Sequence, residues 1–299
     1  MGFGRSGSTV LDAVLGNHPA ICGVGELANL VSYGWLNGEF CSCGDRGNVC
    51  RFWTDVRREW CGRVGNQQII EYPSLQRVFE SRGSWPRLAR EGIRRSRRFG
   101  TYAVSTRALF DSIRAVSGRP VVVDSSKSPM RAHALALTGT LDLRVIHLVR
   151  DARAVAWSLR KAYRKDDRAG IQKDFRPRLA LRTALLWLFV NMQAMWVNRQ
   201  LFRGRALTVR YEELATRPRA VLKELGVMLE IDLDELGAAV EQRAQITFAH
   251  SIAGNRLRMR RRFDLRFDSE WVEHLSERDK MIVWTVTGWL MRRFGYAER

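Results

Sequence analysis

The stretch "GFGRSGST", residues 2–9, has the glycine spacing of a phosphate-binding loop. Gly2 and Gly7 are five positions apart, and Ser8 follows directly. Glycines let backbone N–H groups approach a phosphate, and a helix that begins near Ser8 would add its positive N-terminus. A P-loop NTPase has a lysine where this sequence has Ser8, and the only cation in the stretch is Arg5. The loop therefore predicts an anionic ligand that is bound without the P-loop lysine.

The composition indicates a globular protein with acidic partners. The chain has 299 residues, of which 45% are hydrophobic and 10% aromatic, which is ample for the core of one large α/β domain or two small ones. A net charge of +19 favours nucleotides, nucleic acid or an anionic membrane surface as partners. We expect no nucleic-acid partner, because neither a known recognition module nor an aromatic stacking platform is present.

Two segments bear on contact with a membrane. The most apolar one, residues 183–197, is shorter than the roughly 20 residues that a membrane span needs, which predicts a buried helix and no transmembrane segment. No apolar leader precedes the loop, so a signal peptide is not expected and a cytoplasmic location is the default. Residues 85–99 place four arginines near one helical face, which predicts either a solvated surface or peripheral contact with anionic lipid. These arginines are Arg87, Arg90, Arg94 and Arg98.

Short β-branched runs alternate with helical patterns along the chain. The predicted strands are "AICGV" (20–24), "PVVVD" (120–124), "RVIHLV" (144–149) and "ALTVR" (206–210). This rhythm predicts an α/β, P-loop-like three-layer fold with a central parallel sheet, helices on both faces, and helical insertions at 72–111 and 216–251. Since no repeat or linker divides the chain, one domain over residues 1–299 is expected. Only Met1, Gly2 and Phe3 stand where such folds have a full apolar strand, so either the first strand is very short or residues are missing upstream of Met1.

The segment "VRDARAVAWSLRK", residues 149–161, is the second candidate anion site. Arg150 follows a predicted strand, and Asp151 can cap a helix on which Ser158 lies on the same face two turns later. Arg150 and Ser158 are therefore able to approach one anion together. An amphipathic helix with an exposed arginine is the alternative.

Together these two motifs resemble the sulfotransferases that depend on 3'-phosphoadenosine 5'-phosphosulfate (PAPS). "RSGST" resembles the family's 5'-phosphosulfate loop, and "VRDARAVAWS" resembles its 3'-phosphate motif, with Arg150 and Ser158 matching residue by residue. The resemblance continues in family order through "DSSKSPMRAHAL", "VRYEELATRPRAVLKELGVML" and "HSIAGNRLR". It is closest to the bacterial branch related to tyrosylprotein and carbohydrate sulfotransferases.

The resemblance implies a reaction and a set of site residues. A sulfuryl group passes from PAPS to the hydroxyl of a glycan, lipid, peptidyl tyrosine or small metabolite, PAP is released, and no metal takes part. Glu26 is the implied general base, with a helix-stabilising glutamate as the alternative. Arg5 and Lys127 are the implied cations that stabilise the sulfuryl group and the leaving oxygen. The implied nucleotide-binding residues are Arg5, Ser6, Gly7, Ser8, Thr9, Arg150, Ser158, Tyr211, Ser251, Asn255 and Arg256.

Within this resemblance, Tyr211 lies near the adenine pocket, and residues 253–262 form a late basic loop over the cofactor's phosphate. Arg258 is a further candidate in that loop. The alternative is that its arginines form a solvated run. This run comprises Arg258, Arg260, Arg261 and Arg262.

Four of the five cysteines cluster early in the chain, at Cys41, Cys43, Cys50 and Cys61. A structural zinc or a disulfide is conceivable, but the paired C-x-x-C spacing of common zinc sites is absent. No metal site is therefore predicted.

Two other classes of protein remain as alternatives to a sulfotransferase. A P-loop kinase would use ATP with Mg²⁺, but it would lack its central lysine here. A non-catalytic nucleotide-binding protein would bind PAP and would lose no function when Glu26 is replaced.

Overall fold

The computed structural model describes residues 1–171, 174–260 and 262–298 of the chain. Its strands are β1 (Ile21–Gly23), β2 (Val121–Val123), β3 (Val145–Val149), β4 (Ala206–Arg210), β5 (Ile246–Thr247) and β6 (Arg262–Phe263). Its α-helices are α1 (Ser8–Gly16), α2 (Leu27–Asn29), α3 (Arg51–Val64), α4 (Gln68–Glu80), α5 (Trp85–Ile93), α6 (Arg97–Ser117), α7 (Pro129–Thr138), α8 (Ala152–Arg160), α9 (Ala180–Leu201), α10 (Tyr211–Thr216), α11 (Pro218–Leu229), α12 (Asp234–Glu241), α13 (Glu270–His274) and α14 (Glu277–Arg293). A π-helix (Leu30–Leu36) continues α2, and a 3₁₀ turn spans Arg256–Met259.

The four predicted strands are present, and each is followed by a helix. β1 lies parallel to β2, and β3 lies parallel to β4. Helices α2, α7, α8 and α10 follow these strands in order. The mixed α/β class is therefore confirmed, and the carboxyl ends of the strands supply the loops in which the site residues were expected.

The expected central parallel sheet is only partly formed, because the described strands make two parallel pairs rather than one continuous ladder. The first residues of the chain lie between these pairs. The amide of Leu148 in β3 donates to the Met1 carbonyl (2.9 Å), and the Gly2 amide donates to the Lys127 carbonyl beyond β2 (3.0 Å). A cavity of about 480 Å³ separates β2 from β3.

The predicted helical insertions are also present. Helices α4, α5 and α6 fall within the first insertion and α11 and α12 within the second. The first insertion has its own aromatic core, in which the Tyr72 and Tyr102 rings stack at 6.1 Å between centroids. These helices lie outside the strand–helix rhythm because their apolar faces pack against one another as well as against the sheet.

The prediction that the four arginines of segment 85–99 lie near one helical face was wrong. Helix α5 ends at Ile93 because Arg94 is extended, and α6 begins anew after Ser96, whose side chain accepts from the Phe99 amide (3.1 Å). The four arginines therefore do not share one helix face, since Arg98 lies on α6.

Helix α9 contains the predicted buried segment, but only one of its faces is covered. Trp187 and Asn191 are buried on the side that packs against α7, α8 and α14. Leu185 and Phe189 are 52% and 47% exposed on the other side. By length and composition α9 would also suffice to cross a membrane, a property it shares with core helices. The apolar run thus predicted a helix correctly but overstated its burial.

Candidate active site

The glycine loop leads into α1 through a sharp turn that requires Gly7. Its φ is +94°, and a Cβ atom there would lie 2.4 Å from the Tyr211 ring. Arg5 is also left-handed, with φ at +71°, a conformation that costs a residue with a side chain about 1 kcal/mol or more. The hydroxyls of Ser6 and Ser8 are buried and have no hydrogen-bond partner among the described residues. Unpaired buried donors at a helix N-terminus suit an anion.

The Arg5 guanidinium lies over aromatic rings rather than against a carboxylate. Its central carbon is 5.5 Å from the Phe175 ring centroid and 6.0 Å from that of Tyr163. Burial lowers the pKa of this guanidinium, although an arginine stays charged at any physiological pH. Arg5 forms no ion pair with the residues that the structure describes. It is therefore a partly desolvated cation that an anionic ligand can pair with.

Arg150 joins the second motif to the loop. Its side chain is buried at 7% exposure, and its Nη1 donates to the Arg5 carbonyl at 3.2 Å. Its Nη2 donates to Asp268 at 2.8 Å, while its Nε is buried and unpaired within the described part of the chain. The two predicted anion-binding motifs are thus in direct contact.

Two further predicted residues occupy different positions around Arg150. The Tyr211 ring lies 4.6 Å from the Arg150 guanidinium and packs against Gly7, and its hydroxyl donates to the Arg266 carbonyl (3.1 Å). Ser158 is half-buried in α8 and makes no side-chain hydrogen bond to any residue that is described. Tyr211 therefore supports the loop and Arg150, whereas the pairing of Ser158 with Arg150 stays a prediction.

Glu26 and Lys127 form an ion pair, although they follow two different strands. Glu26 Oε1 contacts Lys127 Nζ, and Glu26 Oε2 accepts from the Asn29 side chain (2.8 Å). Glu26 stands at the N-terminus of α2, but its carboxylate accepts no capping hydrogen bond from that helix. The alternative, in which Glu26 only stabilises the following helix, therefore has less support from the structure than it had from the sequence. The carboxylate is 14% exposed, so an acceptor can reach it from the cleft, by which we mean the space beside Lys127, the late loop and the glycine loop.

The late loop packs against both Glu26 and the glycine loop. The Glu26 amide donates to the Ile252 carbonyl (3.0 Å), and the Asn255 amide donates to Thr9 Oγ1 (3.2 Å). A Cβ at Gly254 would come within 3.3 Å of Glu26 Oε1. Ser251 is 1% exposed, and its hydroxyl is unpaired among the described residues. Asn255 and the preceding Ser251 thus lie close to the glycine loop and to Glu26.

The arginines of the late loop differ in their surroundings. Arg256 is exposed and lies 4.4 Å from the centroid of Tyr163, the ring that also faces Arg5. Arg258 is fully buried and pairs with Glu39, so the solvated-run alternative was wrong for this residue. Arg261 lies outside the described residues.

A buried ionic network behind the site was missed from the sequence. Arg131 contacts Glu80 and donates to Asp124 at 2.7 Å. Asp124 also accepts from the amides of Leu27 and Ser126, at 3.1 and 2.9 Å. The network therefore fixes the loop that carries Lys127 to the start of α2 beside Glu26. The sequence shows Asp124 at the end of a predicted strand, but no pattern in neighbouring residues identifies its partners.

Asp12 is a second buried carboxylate near the site that the sequence analysis did not select. It is 2% exposed in α1 and accepts from the Gly25 amide at 3.2 Å. Burial raises its pKa to about 8. Asp12 is therefore protonated in the folded protein at neutral pH, whereas it is ionised in the unfolded chain.

We expect Asp12→Asn to stabilise the protein at alkaline pH. Between about pH 4 and pH 8 the folded state retains a proton that the unfolded chain releases, so stability falls progressively over this range and the loss is complete above pH 8. The full effect is on the order of 5 kcal/mol at most. Asparagine is neutral throughout and keeps an acceptor for Gly25. The melting temperature of the variant should exceed that of the unmodified protein by at least about 5 °C at pH 9, and this difference should shrink steadily as the pH is lowered towards 4.

The matched control is Asp55→Asn, which alters a surface carboxylate paired with Arg58. Its melting temperature should follow that of the unmodified protein across the pH range. Parallel pH profiles for Asp12→Asn and the unmodified protein would contradict the assignment.

Three solved sulfotransferase structures are similar to this chain. The sulfotransferase domain from the Synechococcus PCC 7002 olefin synthase is 20% identical, with a TM-score of 0.50 over 99% of this chain and 93% of that one. The sulfotransferase domain from the curacin biosynthetic pathway is 15% identical, with a TM-score of 0.46 over 98% and 95%. Sulfotransferase STF9 from Mycobacterium avium is 10% identical, with a TM-score of 0.46 over 99% and 76%. No curated protein sequence matches significantly.

A family model described as "Sulfotransferase family" matches residues 1–235. The matched range begins with the glycine loop and includes Arg5, Glu26, Lys127 and Arg150. It thus covers both motifs, the ion pair and all four strands of the parallel pairs. With most of its length matched, and with the two predicted anion-binding motifs in contact, the chain belongs to the sulfotransferase family.

Proposed function

We propose that this protein transfers a sulfuryl group from PAPS to a hydroxyl acceptor and releases PAP. Family membership supports a sulfotransferase activity with a hydroxyl-type acceptor, and PAPS as the donor is the finer part of the proposal. The observation that carries it is the hydrogen bond between Arg150 and the Arg5 carbonyl. That contact puts two cations, from motifs far apart in sequence, where both can bind one nucleotide that is phosphorylated at two positions.

The polar atoms around the loop fit such a nucleotide. The hydroxyls of Ser6, Ser8 and Ser251 and the Nε of Arg150 are buried donors without partners within the described residues. Buried polar groups are rarely left unpaired in native proteins, so these atoms are suited to ligand oxygens. We assign the 5' end of PAPS to residues 5–9 and its 3'-phosphate to Arg150 and Ser158.

Binding at Arg150 involves a competing carboxylate. Asp268 accepts from Arg150, and, although burial opposes it, this hydrogen bond keeps the pKa of Asp268 below its ordinary value. Asp268 is 39% exposed, so it can be rehydrated when Arg150 turns to a phosphate. The Arg150 guanidinium is pre-oriented by Tyr211 and the Arg5 carbonyl, which lowers the ordering cost of that exchange.

Different side chains of the protein carry out different parts of the proposed reaction. PAPS supplies a sulfuryl group on a phosphate leaving group. Glu26 accepts the proton of the attacking hydroxyl, and its ion pair with Lys127 orients the carboxylate before the acceptor arrives. Lys127 and Arg5 are fixed cations beside the cleft, and such groups stabilise charge that develops in a transition state. The proposed acceptor is the hydroxyl of a glycan, lipid, peptidyl tyrosine or small metabolite, and the proposed location is the cytoplasm.

Thermal-shift titration with PAP, ADP and ATP plus Mg²⁺ tests the proposal. A ligand that binds only the folded state stabilises it by RT ln(1 + [L]/Kd), so at equal concentrations the tighter ligand raises the melting temperature more. We expect PAP to stabilise the protein more than ADP does and Mg²⁺ to add nothing. Equal stabilisation by ADP would contradict the proposal, and ATP with Mg²⁺ as the best ligand would favour the kinase alternative. Transfer of label from ³⁵S-PAPS to material in a cell extract would then identify the acceptor class.

Arg150→Ala should weaken PAP binding far more than ADP binding. Loss of a charge-assisted contact to the 3'-phosphate costs about 1.5 to 3 kcal/mol, and ADP has no phosphate at that position. Isothermal titration of both ligands measures the difference. The matched control is Arg160→Ala, an exposed arginine of α8 that pairs with Asp279, and its affinities should be unchanged. An equal loss for both ligands in Arg150→Ala would contradict the assigned role.

A further inference from the structure

Three cysteines and one histidine converge on one side of the late loop. The ligand atoms of Cys41, Cys43, Cys50 and His250 all lie within 4.8 Å of one another. The Cys43 and Cys50 sulfurs are 3.6 Å apart. His250 Nδ1 lies 3.4 Å from the Cys50 sulfur and 3.8 Å from the Cys41 sulfur. The remaining two cysteines are separate, since Cys22 lies in β1 and Cys61 in α3.

We propose that Cys41, Cys43, Cys50 and His250 bind one Zn²⁺ ion. With Zn–S bonds of about 2.3 Å, two sulfurs of a tetrahedral site are about 3.8 Å apart, and a sulfur and an imidazole nitrogen are about 3.6 Å apart. The one sulfur–sulfur and two sulfur–nitrogen distances given above lie within a few tenths of an ångström of these values, and no two ligand atoms are more than 4.8 Å apart. Three cysteines and one histidine are a common ligand set for structural zinc. This site differs from the expectation drawn from sequence, in which no metal site was predicted.

The backbone around the cysteines is arranged as in a tight metal-binding turn. The Cys41 amide donates to the Asp45 carbonyl (2.8 Å), and the Gly44 amide donates to the Cys41 carbonyl (3.0 Å). Gly44 has a φ of +102°, which glycine adopts without strain. This tight turn brings Cys41 and Cys43 close together in space, as two ligands of one ion must be.

His250 is held in place from the other side. Its ring stacks on Phe52, with centroids 4.9 Å apart and an interplanar angle of 9°. Ser42, which lies between two of the cysteines, accepts from the Ser251 amide (2.8 Å) and donates to the Ala249 carbonyl (3.1 Å). The imidazole is therefore fixed with Nδ1 toward the sulfurs. A disulfide would use only two of the three thiols and would give this histidine no role.

The zinc would connect residues 41–50, which carry the three cysteine ligands, to the late loop of the candidate active site. From His250 the chain runs through Ile252, whose carbonyl accepts from Glu26, to Gly254 and Asn255 beside Thr9. The ion pair between Arg258 and Glu39 is a second contact between the late loop and the segment that carries the cysteines. Because all four ligands come from the protein, the site is closed and structural rather than catalytic. It would hold the late loop over the cleft.

Metal analysis of the full chain, purified without a histidine tag, tests the proposal. We expect one zinc per chain by inductively coupled plasma mass spectrometry. Cys43→Ser alters the exposed member of the set, so the protein should still fold while its bound zinc falls at least several-fold. Cys61→Ser is the matched control and should keep the full zinc content. Cobalt added after chelation should give the thiolate charge-transfer bands of a tetrahedral site, and these bands should be absent from Cys43→Ser.

The thiols provide a second measurement that does not depend on a variant. Bound zinc should protect Cys43 from alkylation by N-ethylmaleimide, and a chelator should expose it. Protein that remains below a tenth of an equivalent after incubation with excess Zn²⁺ would overturn the proposal. A native disulfide among the three cysteines, found by mass spectrometry, would also overturn it, as would equal zinc contents in Cys43→Ser and the unmodified protein. None of these readouts depends on PAPS, so they are separable from the test of the proposed function.

Discussion

We expect Glu26→Gln to lower kcat for sulfuryl transfer by about 10²- to 10⁴-fold, the usual contribution of a positioned general base. Glutamine has nearly the same shape but cannot accept the acceptor's proton at neutral pH. The carboxylate lies beside Lys127 and under the late loop, where no helix amide occupies it. The dissociation constant for PAP should change little, because the proposed nucleotide contacts lie on the glycine loop and Arg150. Steady-state kinetics and PAP titration measure the two quantities separately.

The matched control for Glu26 is Glu277→Gln, which breaks another glutamate–lysine pair on the surface of α14. Its kcat should equal that of the unmodified protein. If Glu26→Gln retained more than about a tenth of the kcat, the general-base role would be wrong, and Glu26 would act only as a partner for Lys127. A fall in melting temperature together with a fall in PAP affinity would point instead to a collapsed site.

Arg131→Met should destabilise the protein by about 3 to 5 kcal/mol, since it leaves two buried carboxylates without their cation. Arg131 is 1% exposed, and Glu80 and Asp124 raise its pKa against the opposing effect of burial. The loss should also loosen the Lys127 loop, because Asp124 fixes that loop to the start of α2. Chemical denaturation measures the free energy of unfolding.

The matched control for Arg131 is Arg63→Met, which breaks an exposed pair with Glu59 on α3. Exposed pairs contribute about 0 to 1 kcal/mol. If Arg131→Met changed the free energy of unfolding by no more than the control does, the buried network would not be a stabilising anchor of the site.

Much of the site was predictable because its signals are local in sequence. The spacing of Gly2 and Gly7 reflects a loop with no room for a Cβ atom at either position. This requirement concerns residues that are close together in sequence. Arg150 directly follows one apolar run and Lys127 lies four positions beyond another, and chain geometry places the carboxyl ends of parallel strands at one edge of the fold. Local pattern was less reliable where burial depends on neighbours, as with the two faces of α9 and the buried Arg258.

By itself, then, the sequence determined the α/β rhythm, the loop without its lysine and the residues that follow each strand, because backbone preferences and hydrophobic periodicity act over a few residues. Only the tertiary structure decided which distant groups meet. Glu80 lies 51 positions from Arg131 and His250 lies 200 from Cys50, and no pattern of short range connects them. Such contacts form because the packed helices and strands fix where each segment passes. The buried carboxylates behind the site and the candidate zinc ligands beside it both arise in this way.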